Sequence, residues 1–165
     1  MPTHALAAAL DAGDRVRARE LVRGVQPSAL DDVLEVLARH AASDNEATAA
    51  AAVELLVEEL ERSGTLRRFA GASLVDEAAV DDVVQESLIA VARAAPGFRG
   101  SAKVTTWVHR IVRNCVVDHL RAQRAMAPLP EELRATGTRM SSVIATRETV
   151  QQVIASLPEH YREAV

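Results

Sequence analysis

From Lys103 to Arg124 the chain runs without a proline or glycine, and that run has one natural conformation. Wound as a helix at about 100° per residue, it gathers Trp107, Val108, Ile111, Val112, Cys115 and Val116 on one side. Arg110, Arg113, Arg121 and Arg124, with Thr106 between them, fall within about 80° of one another on the opposite side. One side requires a core to pack on, and the other is a cationic row about four turns long. Asp118, the only acid on this helix, sits at the edge of the row. An arginine row without counter-charge suits a polyanion, and a nucleic-acid backbone is the simplest one. Arginine is also a good helix former, and a charge row alone is commonly no more than a solvated face.

The loop ahead of the helix separates those readings. The chain has four aromatic residues, and two of them, Phe98 and Trp107, bracket this loop. Pro96, Gly97 and Gly100 open it, and it carries Arg99, Ser101, Lys103, Thr105 and Thr106. Aromatics, small hydroxyls and cations at the mouth of an arginine-lined helix are the materials for holding unstacked bases. Trp107 projects to the apolar side and is read as a core anchor. Phe98 fits either role.

At 165 residues the chain can bury one good core or two small ones. Its formal net charge is −4, which argues against a nonspecific DNA binder, but the charge is unevenly placed. Between Glu54 and Glu86 nine acids face only Arg62, Arg67 and Arg68. Between Arg99 and Arg124 the cations Arg99, Lys103, Arg110, Arg113, Arg121 and Arg124 face Asp118 alone. Such polarisation suits a protein with two different partners. The single cysteine, Cys115, excludes an internal disulfide and fits a reducing cytoplasm. The N-terminus lacks the pattern of a signal peptide, and no apolar run is long enough for a bilayer, so the expected location is cytoplasmic with no membrane partner.

Asp76 to Arg93 is the second informative helix. Val80, Val83, Val84, Leu88 and Val91 recur at three- and four-residue steps and should be buried. Asp81, Asp82, Gln85, Glu86 and Ile89 lie toward the other side. Helix-dipole compensation accounts for Asp76, Glu77 and Asp81 near the start. It does not account for Gln85 and Glu86 further in, or for an exposed Ile89 beside them. A polar face centred on an apolar residue suits the docking of another helix.

Two blocks, in order and at matching separation, carry a family resemblance. The segment Phe98-Arg99-Gly100-Ser101, Thr106-Trp107, Arg110-Ile111, Arg113-Asn114, Asp118-His119-Leu120-Arg121 resembles the promoter-melting and minus-ten-reading segment of bacterial extracytoplasmic-function (ECF) sigma factors. Upstream, Asp82-Val83-Val84-Gln85-Glu86 is similar to that family's acidic helix. The resemblance covers about residues 50–124. It implies an all-α helical bundle of the sigma region 2 type, with core RNA polymerase and the promoter minus-ten element as partners and no cofactor. It also implies that Asp82, Gln85 and Glu86, with Asp81 and Ile89 beside them, grip the clamp coiled coil of the polymerase's largest subunit. Phe98, Arg99, Ser101, Lys103, Thr105, Thr106, Arg110, Arg113, Asn114, Arg121 and Arg124 become the candidate DNA contacts. The arginines would neutralise phosphates and set register, while Asn114, Ser101 and the threonines would meet base edges or a flipped base. An anti-sigma factor is a further partner implied by the resemblance. The chain departs from the family where Val104 replaces a frequent aromatic, with another missing near His109, so strand capture should rely less on stacking.

The remaining chain divides by composition. Residues 1–45 read as Ala-rich helical hairpins: Leu6, Leu10, Val16, Leu21 and Val22 suggest one, broken at Gly13. After Pro27, Ser28 followed by Asp31 and Asp32 resembles a capped start for a helix with Leu30, Val33, Leu34 and Leu37 as its stripe. ECF sigma factors need no such extension. It either extends the core or regulates by docking a partner or covering the arginine row. Residues 46–126 form the region 2-like domain, which begins with an amphipathic helix from Glu46 to Arg62. That helix should turn Val53, Leu56, Val57 and Leu60 inward and its glutamates outward. Ser63-Gly64 ends it, and Leu66, Phe69 and Leu74 continue the apolar pattern. Residues 127–147, with Pro128, Pro130 and Gly137, read as a linker. Residues 148–165 resemble the opening of the family's C-terminal domain, through Ser156-Leu157-Pro158-Glu159-His160-Tyr161-Arg162-Glu163. No helix-turn-helix follows, which predicts a truncated chain that does not read a minus-35 element.

Catalysis is not expected. The five histidines are scattered, and no phosphate-cradling glycine loop or nucleophile–base pair is present. Cys115 and His119 have the i, i+4 spacing of a helical metal pair, but Cys115 is central on the apolar face, so packing explains it better. Two other functions compete with transcription initiation. One is a sigma-like mimic that binds an anti-sigma factor, which would be marked by loss of the basic row. The other is a helical adaptor for a protein partner, which would be marked by salt-insensitive binding.

Overall fold

The computed structural model describes residues 2–126, and among them every regular element is helical. The expectations for residues 127–165 lie outside the described residues. The helices are α1 (Pro2–Asp11), α2 (Arg15–Arg23), α3 (Leu30–Ala41), α4 (Glu46–Arg62), α5 (Thr65–Gly71), α6 (Glu77–Ala94) and α7 (Val104–Met126), with short 3-10 turns at Pro27–Ala29 and Ala95–Gly97. The all-α bundle expected from the sequence is the fold observed.

Local chemistry sets most of the boundaries. Asp14, Asn45 and Asp76 each stand just before a helix, and each side chain accepts the backbone N–H three residues on. Each bond satisfies one donor that the first turn leaves without a partner. Gly64, at φ +65°, lets the chain turn sharply from α4 into α5 without the steric penalty that a side chain would bring. The capped start proposed at Ser28 is not formed. Pro27–Ala29 is a 3-10 turn, and α3 begins after Ala29 with no side-chain cap. Asp31 and Asp32 in its first turn supply the favourable charge instead.

Helices α1 to α3 are not a separate layer. Leu6, Leu10, Val22, Val33, Leu34 and Leu37 belong to the same continuous core as Leu55, Leu56, Leu60, Leu66, Val83, Val91 and Val108. Residues 1–125 form one compact unit, and the boundary read at residue 45 falls within it, at the cap of α4. Arg19 on α2 reinforces this join by binding Glu58 and Glu54 on α4. Those bonds, Glu58 foremost, hold its guanidinium above its ordinary pKa. Val16, expected in the hairpin's apolar set, points into water, and Ala18 is buried in its place.

Helix α4 departs from its expected single stripe. Thr48, Ala51, Ala52, Leu55, Leu56, Glu59 and Leu60 are buried, while Val53 and Val57 are only half-buried. The face is broad because α4 packs against α3 on one side and α6 on another. Its glutamates do not all face outward. Glu59 is 1% exposed, and its two carboxylate oxygens accept Arg62 Nε at 2.9 Å and Nη2 at 2.7 Å. A forked, charge-assisted pair of this kind is what makes a buried carboxylate tolerable.

Because α3 shares the core with α7, truncating it should be felt at a distance. Leu37→Ala is expected to cost about 2–5 kcal/mol. Urea unfolding followed by Trp107 emission measures this, and a midpoint equal to wild type would mean that α3 belongs to a module folding apart from α7.

Candidate nucleic-acid interface

The interface is built on α7. Val104, Val108, Val112 and Val116 are buried at four-residue steps, with Trp107, Ile111 and Cys115 half-buried alongside. These residues cover the side that the sequence assigned to the core. Turned the other way, Arg110, Arg113, Asn114, Arg121 and Arg124 are all exposed. The row is not wholly free of counter-charge, because Asp118 lies 3.5 Å from Arg121 across one helical turn. Both side chains are well exposed, so the pair is worth at most about 1 kcal/mol and a phosphate can displace it. Among the described residues, Arg110, Arg113 and Arg124 form no ion pair.

In front of α7 the loop and the helix line an open pocket of about 200 Å³, formed by Gly97, Phe98, Arg99, Ser101, Ala102, Thr106, Trp107 and Arg110. An enclosed cavity of about 150 Å³ holds a benzene ring, so this pocket has the volume for one planar heterocycle. The structure thus brings Phe98, Arg99, Ser101, Thr106 and Arg110 together. Lys103 and Thr105 face a neighbouring cleft with Asp31, Asp32, Glu35 and Arg39 of α3. Arg113, Asn114, Arg121 and Arg124 continue along α7 beyond the cavity.

Phe98 can now be assigned. It is 6% exposed and packs on Trp107, with ring centroids 5.2 Å apart and planes inclined at 57°. Of the two roles the sequence left open, this burial favours the core anchor. Phe98 forms the floor of the cavity. Trp107 does two things, anchoring the helix and contributing wall surface. Val104 is buried at 1%, so the position where the resembling family often has an aromatic serves packing here. His109 instead meets Phe69 of α5 edge-on at 4.9 Å. His119 contacts Gln123 at 3.0 Å through ring nitrogen and side-chain amide, and Cys115 stays in the apolar seam. Among the described residues no cluster of three or more histidine, cysteine or acidic side chains could hold a metal.

The acidic face of α6 is laid out as the sequence suggested. Asp81, Asp82, Gln85, Glu86 and Ile89 are exposed, and Ile89 retains 51% of its surface in water. Val80, Val83, Leu88 and Val91 are buried, and Val84 is half-buried. Asp81 stands apart because it accepts Arg67 of α5 and so ties α5 to α6. Asp82 and Glu86 make no ion pair among the described residues, leaving their charge available.

Residues 60–126 match the family model described as Sigma-70 region 2. This segment is therefore similar to sigma-70 region 2 domains. Over 86 residues the chain is 36% identical to the ECF RNA polymerase sigma factor SigM of Mycobacterium tuberculosis, covering 52% of this chain and 43% of that protein. It is 29% identical over 92 residues to the RNA polymerase sigma factor SigZ of Bacillus subtilis, covering 54% and 52%. It is 33% identical over 101 residues to the ECF RNA polymerase sigma-E factor of Salmonella typhimurium, covering 52% and 53%. The chain thus spans about half the length of the curated relatives it matches. No solved structure matches it significantly. Every candidate contact, from Asp81 to Arg124, falls inside the matched segment, whereas α1 to α3 and most of α4 precede it.

The assignment of Phe98 to the floor predicts a stability effect without any DNA. Phe98→Ala should cost about 3–5 kcal/mol, read as a lowered thermal midpoint. An unchanged midpoint would favour the stacking role over the core one.

Proposed function

We propose that this chain acts as an ECF-type RNA polymerase sigma factor, binding core polymerase through α6 and holding the minus-ten element as its strands separate. The observation that carries the reading is the single-heterocycle cavity at the head of an exposed arginine row, both within the matched segment. A flipped base entering the cavity would rest against Trp107 and the edge of Phe98. Ser101 and Thr106 offer hydroxyls that both donate and accept to its edges. Arg99 and Arg110 flank the opening, and Arg113, Arg121 and Arg124 lead the backbone away along α7, where each contact fixes register rather than sequence. Asn114, between them, can pair bidentately with adenine.

Asp82, Gln85, Glu86 and Ile89 supply the second face. Its chemistry suits a helical partner bearing cations around an apolar position, and the clamp coiled coil of the polymerase's largest subunit is the proposed occupant, with Asp81 at its margin. The free energy for strand opening comes from these two sets of contacts, without bond chemistry by this chain, in the cytoplasm. An anti-sigma factor that covers either face would silence it. The mimic reading requires loss of the basic row, and the row is intact and exposed.

Paired substitutions separate the faces. Asp82→Ala with Gln85→Ala should abolish binding to purified core polymerase. Arg113→Ala with Arg121→Ala should leave core binding intact and reduce promoter opening. The second pair should also flatten the plot of log DNA affinity against log salt by about 0.7–0.9 per lost phosphate contact. Wild-type chain that fails to bind core polymerase, or DNA affinity indifferent to salt, would contradict the proposal.

A further inference from the structure

Helix α7 begins without a cap of its own. The Lys103 carbonyl accepts the first helical bond, from Trp107 N–H at 3.0 Å, which places Lys103 at the capping position. A lysine side chain has donors only, and its charge opposes the positive end of the helix dipole. The missing acceptor comes from far away in sequence. Glu35 Oε2 accepts the Val104 N–H at 3.0 Å, across 69 residues of chain. Its other oxygen accepts Arg39 Nη2 at 3.3 Å. Glu35 projects from a rigid support, because its neighbours on α3, Val33, Leu34 and Leu37, are fully buried.

At its other end, the loop is held by Phe98, buried against Trp107 and donating its N–H to the Ala95 carbonyl at 3.0 Å. The segment Arg99–Lys103 therefore hangs between two anchors, bending at Gly100 with φ +66°. From this geometry we infer that Glu35, outside the matched segment, is a positioning residue for the cavity. It holds the first turn of α7, which carries Thr106 and Trp107, in the conformation that receives a base. This inference rests on the proposed function for its consequence, though not for the contact itself. Without the cap the turn frays, and apparent affinity falls with the fraction of molecules whose cavity is formed.

The test uses the full chain with Glu35→Ala, Glu35→Gln and Arg39→Ala. Amide hydrogen exchange at residues 104–107 reads the cap directly. Transcription with purified core polymerase from a library of bacterial promoter fragments reads its consequence. Glu35→Ala should exchange faster at these amides and transcribe about fivefold less, the equivalent of one lost helix cap. Its core-polymerase binding should be unchanged. Glu35→Gln keeps an acceptor oxygen and should recover to within about twofold, losing only the charge at the helix dipole. Arg39→Ala should match wild type in both readouts. Glu35→Ala indistinguishable from wild type in exchange, or in transcription where the wild type transcribes, or Glu35→Gln as impaired as Glu35→Ala, overturns the inference. A wild type that shows the exchange contrast but supports no transcription overturns the sigma-factor reading instead, and with it the functional half of this inference.

Discussion

Four valines at four-residue steps, Val104, Val108, Val112 and Val116, press one edge of α7 onto the bundle, and what α7 offers to solvent depends on that contact. Burying this edge fixes the rotation of the helix. The arginines are then directed outward by geometry, since a helix with a buried seam has only one side left for a charge row. The same rotation sets Trp107 at the flank of the seam, half in the core and half in the cavity. Cavity and arginine row are thus two results of one packing decision. A shift of one residue in the seam would bury Arg113 in place of Val112.

The bundle that receives α7 is assembled from both halves of the described chain. Helix α4 sits at its centre, with a buried face wide enough to meet α3 and α6 together. Its one buried acid, Glu59, is neutralised within the same helix by Arg62. Among the exposed charges, acids are concentrated on α6 and arginines on α7, which gives one compact unit two chemically opposite surfaces. On the proposed reading, one surface faces a protein and the other a nucleic acid. The N-terminal helices are then structural members whose reach extends, through Glu35, to the edge of the DNA-facing cavity.

Elements whose chemistry is local were legible in the sequence. The bounds of α4 are those read from its pattern, and α6 differs by about one residue because Asp76 caps the helix rather than belonging to it. The arginine row, the exposure of Ile89 and the burial of Leu88 and Val91 all follow from helical periodicity. What periodicity could not give was the identity of the neighbours. A single-stripe projection of α4 could not show that two helices pack against it, so it undervalued Leu55 and Glu59 and overvalued Val53 and Val57. Phe98 was ambiguous for the same reason, since its role depended on Trp107 folding back over it. The Glu35–Val104 bond left no local sign except the uncapped lysine at the start of α7.

On the proposed reading, the two surfaces act together to separate promoter strands. This is tested most directly by permanganate reactivity of thymines on promoter fragments incubated with core polymerase, with and without this chain. Reactive thymines are expected to cluster at the minus-ten element only when the chain is present, and to be lost with Arg113→Ala and Arg121→Ala. Fragments that stay unreactive while the chain is demonstrably bound to core polymerase would contradict it.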